Sequence, residues 1–94
     1  MTVSYTVGHI PGEYRDALRP VALAYRRARR KALAEGIHVR EAEDMALAAA
    51  HEEFVRQRPE ATTWSKAQIS GHVMPLIAAA INIDTKWFWD GPDA

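Results

Sequence analysis

Ninety-four residues with twelve basic and twelve acidic side chains and no cysteine fit one small domain whose stability rests on packing alone, since disulfides, thiolate metal sites and thiol nucleophiles are all excluded. The longest strongly apolar stretch, 73–81, falls far short of the roughly 20 residues a membrane-spanning helix needs. The first residues show no basic leader ahead of an apolar run, so the expectation is a cytoplasmic protein with no membrane partner.

The charges cancel overall and are unevenly placed. Residues 13–35 hold seven basic against three acidic side chains, whereas 40–55 hold Arg40 against Glu41, Glu43, Asp44, Glu52 and Glu53. The chain is thus a charge dipole along its sequence, unlike a protein built only to coat a polyanion.

Residues 2–7 alternate, with Val3, Tyr5 and Val7 on one side, the period of a half-buried strand. Pro11 and its flanking glycines end it, and helical character follows. Tyr14, Leu18, Val21, Tyr25, Ala28 and Ala32 recur at spacings of three and four, a stripe that faces a partner helix. Gly36 is placed to cap that helix at its C-terminus. Pro20 either opens a helix near Arg19 or kinks a longer one that starts near Gly12.

A second helix is expected over 39–57, with Ala42, Ala46, Ala49 and Ala50 inward beside Val39, Leu47 and Phe54, closed by Arg58-Pro59. Its alanines imply close helix approach. Glu43 sits among these apolar positions near the helix start, where the dipole favours a carboxylate and an arginine of the first helix could meet it.

The third helix has the clearest start. Ser65 followed three residues on by Gln68 forms a capping box, with Trp64 and Ile69 as a hydrophobic staple. Gly71 and Pro75 then predict a kink or a break into two short helices. Residues 85–89 are rich in strand formers, and Asp90-Gly91-Pro92 ends order. The fold expected is a mainly α single domain over 1–94 with its ordered core at about 13–89. It is a three- to four-helix bundle, to which a short two-stranded ribbon is added if 2–7 pairs with 85–89 and joins the termini.

Two features are candidates for binding. Arg15, Arg19, Arg26 and Arg30 fall within roughly 60° of one another on a continuous helix and make a stripe about 22 Å long, with Arg27 beside it. Such a stripe suits phosphate, because the guanidinium fork donates two parallel hydrogen bonds. The plainer reading is a solvated face that pairs with the acidic second helix. Trp87, Phe88 and Trp89 are the second feature. On a strand they cannot all face one way, so at least one stands near the surface, as a cap on the bundle end or as a hot spot for a partner.

The segments around 59–64 also have the layout of a helix-turn-helix, with Lys66, Gln68, Ser70 and His72 as the side chains available to base edges. A plain helical hairpin is the preferred reading. His9, His38, His51 and His72 lie in separate segments without metal-ligand spacing. Ser4, Ser65 and Ser70 sit in no nucleophile elbow, and the five glycines make no phosphate loop. No catalytic residue, metal ligand, cofactor or small-molecule substrate is therefore expected. The function expected is a non-enzymatic interaction or regulatory module that docks onto a macromolecular partner, either another protein or a second copy of itself. A DNA- or RNA-binding regulator that uses the arginine stripe is the alternative.

Overall fold

The computed structural model describes residues 12–83 and 85–91, with side chains for 18–82 and 85–91. Four helices follow one another: α1 (Gly12–Ala34), α2 (Val39–Gln57), α3 (Lys66–Ile83) and α4 (Thr85–Asp90), with a 3₁₀ turn over Pro59–Thr63 between α2 and α3. No described residue is in a strand. The small helical fold is therefore present.

The first helix takes the longer of its two possible courses. It begins at Gly12 and runs unbroken through Pro20. It ends as the sequence predicts, at Gly36, whose φ is +84°. The Ile37 N–H bonds the Ala32 carbonyl at 3.0 Å and the Gly36 N–H bonds that of Leu33 at 3.1 Å, the paired bonds of a Schellman cap. Two residues later His38 opens α2, its Nδ1 accepting from the Arg40 N–H at 3.1 Å. This tight turn folds α2 back along α1.

Ala42, Ala46, Ala50 and Phe54 form the fully buried stripe of α2. With methyl groups on that face the two helices can approach closely, while Val39, at 43% exposure, lies outside the core. From α1, Val21, Ala22 and Ala32 are buried, and Leu18 and Tyr25 pack at the core's edge. Tyr14 lies outside the described side chains.

The capping box of α3 is formed in both directions. Ser65 N–H donates to Gln68 Oε1 at 2.8 Å, and Gln68 N–H donates to Ser65 Oγ at 3.2 Å. Beyond it α3 does not break at Pro75, contrary to one sequence expectation, and stays helical to Ile83. The carbonyl a proline ring displaces is that of the residue four back. Here that residue is Gly71, on the exposed side of the helix, where water can serve it. Val73, Leu76, Ile77, Ala79 and Ala80 carry the inward face.

The strand expected over 85–89 is a helix, so the ribbon has no C-terminal half, and its other half, residues 2–7, lies outside the described residues. Tertiary packing overrides β-propensity here. At about 100° per residue a helix sends three consecutive aromatics in three directions. Phe88 enters the core at 0% exposure, Trp87 is half-buried, and Trp89 stands 38% exposed. Thr85 Oγ1 bonds back to the Ile81 carbonyl at 2.6 Å and ties α4 to the end of α3.

Candidate binding surfaces

The two sequence candidates meet in space, because α1 carries the arginines along the side on which α4 docks. Arg26, only 2% exposed, donates from one terminal nitrogen to the Trp87 carbonyl at 2.5 Å and to that of Phe88 at 3.4 Å. Arg30 donates to the Gly91 carbonyl at 3.2 Å and to that of Trp89. A helix leaves its last four carbonyls without internal partners, and cations favour that end. Two arginines four apart on α1 thus serve the C-terminus of a helix too short to be stable alone.

The indoles complete the contact. Arg19 and Arg26 lie over the Trp87 ring at 4.7 and 4.9 Å, and Arg29 lies over Trp89 at 5.1 Å. Such pairs contribute about 0.5–1 kcal/mol each where exposed and more when dry. Phe88 is clamped between Tyr25, at 5.9 Å, and Trp89, edge-on at 4.7 Å. Burial, assisted by the charge of Glu43, raises the Tyr25 pKa against the opposing effect of Arg29. Glu43 itself is exposed.

Of the stripe proposed for phosphate, Arg26 and Arg30 hold α4, Arg19 stacks on Trp87, and the Arg15 side chain lies outside the described residues. Arg27 faces solvent. Together with Arg19 it flanks an open groove of about 340 Å³ floored by Pro20, Leu23 and Ala24 and rimmed by Glu53 of α2.

The helix-turn-helix layout fares poorly in the same terms. Gln68 is held in the capping box, Ser70 Oγ lies 3.0 Å from His51 Nε2, and His72 stacks on Phe54 at 5.9 Å and packs on Trp64 at 4.8 Å. Three of the four side chains required to read bases are thus engaged within the bundle.

The His51–Ser70 pair is a feature that sequence reasoning missed. These residues are nineteen apart in sequence, and only the packing of α2 on α3 joins them. Asp44, Leu47, Ala48 and Lys66 complete a cleft of about 450 Å³ around them. Burial and then the Lys66 charge lower the His51 pKa, so its ring is neutral near pH 7. Among the described residues no three His, Asp or Glu side chains could hold a metal ion together, and no helix is long and apolar enough to cross a membrane.

Comparison of the chain with protein-family models, with characterised proteins and with solved structures gave no match.

Proposed function

We propose that this chain is a non-enzymatic interaction module that docks onto another protein surface through the outer face of the α1–α2 hairpin. The observation that carries this reading is the division of the α1 arginines. Arg26 and Arg30 hold carbonyls of the same chain, whereas exposed Arg27, with Arg19 that also stacks on Trp87, flanks a groove with an apolar floor. Cations flanking an apolar strip suit an amphipathic protein segment with carboxylates beside its apolar row. Affinity for a phosphate backbone grows with the number of cations that reach it, and the buried Arg26 holds α4 instead.

The test has two arms. In cell extract the protein should migrate as an assembly larger than a monomer, and Arg27→Glu, which reverses an exposed charge without touching the core, should shift it toward monomer. A monomer in extract for both forms would overturn the proposal. Submicromolar binding of the purified chain to generic duplex DNA or single-stranded RNA at about 150 mM salt, with a steep salt slope, would replace it with the nucleic-acid reading.

A further inference from the structure

We infer that the surface docking on this face is a second copy of the chain, related by a two-fold axis that lies above the outer face of the hairpin, over the seam between α1 and α2 and parallel to both. The inference rests on the proposed docking role of the hairpin's outer face and names its occupant.

The two helices expose opposite charges on adjoining sides. From α1, Arg19, Arg27 and Lys31 are exposed, with Pro20, Leu23 and Ala24 half-buried between them. On α2, Met45, Glu52 and Glu41 lie about 80–120° of rotation from Glu53, turned away from the buried alanines, and half-buried Ala49 lies between them and that stripe. Met45 is 43% exposed, and both glutamates are exposed. Each helix thus presents a row of small or apolar groups bracketed by charges, basic on α1 and acidic on α2.

The spacings agree as well. Glu53 stands beside Pro20 in the groove, which fixes the level of the antiparallel hairpin and puts Lys31 level with Ala42, next to Glu41. Arg19 and Lys31 are about 18 Å apart along α1, and Glu52 and Glu41 are about 17 Å apart along α2 at 1.5 Å per residue. An axis parallel to the hairpin preserves levels and exchanges helices, so α1 of one copy covers α2 of the other. Arg19 then meets Glu52, Lys31 meets Glu41, Ala24 comes level with Ala49, and Met45 falls between the levels of Ala24 and Lys31, each contact occurring twice as an isologous interface requires. The helices so stacked are antiparallel, whereas a packing that laid α1 on α1 and α2 on α2 would oppose like charges. The zero net charge of the chain leaves no overall repulsion between copies.

Sedimentation equilibrium of the purified full chain across the micromolar range is the test, with circular dichroism to verify that each variant remains helical. The expected result is a reversible monomer–dimer equilibrium that weakens with added salt. Lys31→Glu and Glu41→Lys should each weaken it on the order of tenfold, because two ion pairs per dimer become like-charge contacts. An equimolar mixture of the two variants should restore the dimer, since both contacts are again attractive in the heterodimer. Met45→Ser should weaken it without changing charge. A monomer at every concentration, or a dimer that neither charge reversal affects, would overturn the inference. A purified monomer whose extract still contains the Arg27-dependent assembly would assign the face to a different protein, and docking through it would stand without the second copy.

Discussion

Arg26 holds Trp87 twice: its guanidinium donates to the residue's carbonyl oxygen at 2.5 Å and lies 4.9 Å from the centre of the same residue's indole ring. One buried cation therefore fixes both the backbone and the side chain of α4, and Phe88 enters the core as a consequence. The exposed charges left on α1 are those that shape the proposed interface.

Gly91 is where this contact has least room. A Cβ there would lie 2.4 Å from the Trp87 carbonyl oxygen, 2.8 Å from its indole Cδ1 and 3.1 Å from Arg26. The first of these is backbone and cannot swing aside, so Gly91→Ala should cost about 1–3 kcal/mol and redshift the tryptophan emission as Trp87 gains water. A substitution without effect on urea midpoint or emission would place α4 elsewhere.

At the other end of the bundle, Ser65→Ala removes the hydroxyl that receives the Gln68 N–H. The expected loss is about 0.5–2 kcal/mol, read as a lower midpoint with unchanged m-value. Ser65→Asp, which can also cap, should retain most of the stability.

The His51–Ser70 contact gives a pH dependence of fixed sign. The folded pKa of His51 lies below its ordinary value of about 6.5, because burial and then the Lys66 charge disfavour the imidazolium. Its contribution is fully present above the unfolded pKa and is lost as pH falls below about 6.5 and through the lowered folded value, where the unfolded chain binds the additional proton. Unfolding free energy measured between neutral and mildly acidic pH should decline for the native chain more than for His51→Gln. Equal declines would remove His51 as the source.

The parts of this fold legible in the sequence were those written in local chemistry. The α2 boundaries, the Gly36 cap and the Ser65–Gln68 box each depend on residues within a few positions of one another, and the structure has them as the residues imply. The α4 segment was not legible. Thr85, Trp87, Phe88 and Trp89 favour strands by composition, and the helix forms because Arg26 and Arg30, about sixty residues earlier, serve its carbonyls. In the same way neither periodicity nor spacing shows that the arginine stripe and the aromatic segment meet in space. Ser70 and His51 were each identified, and their pairing needed the α2–α3 packing.

The most direct test of the account is the unfolding free energy of the double variant Arg26→Met, Arg30→Met, compared with the control Arg27→Met. Hydrogen bonds to charged donors are worth about 1.5–3 kcal/mol, and these serve the terminal carbonyls of α4. The account predicts that the double variant loses about 3 kcal/mol or more, whereas the exposed Arg27→Met stays within about 0.5 kcal/mol of the native chain. Equal stability of all three proteins would mean that the arginines do not hold α4, and would contradict it.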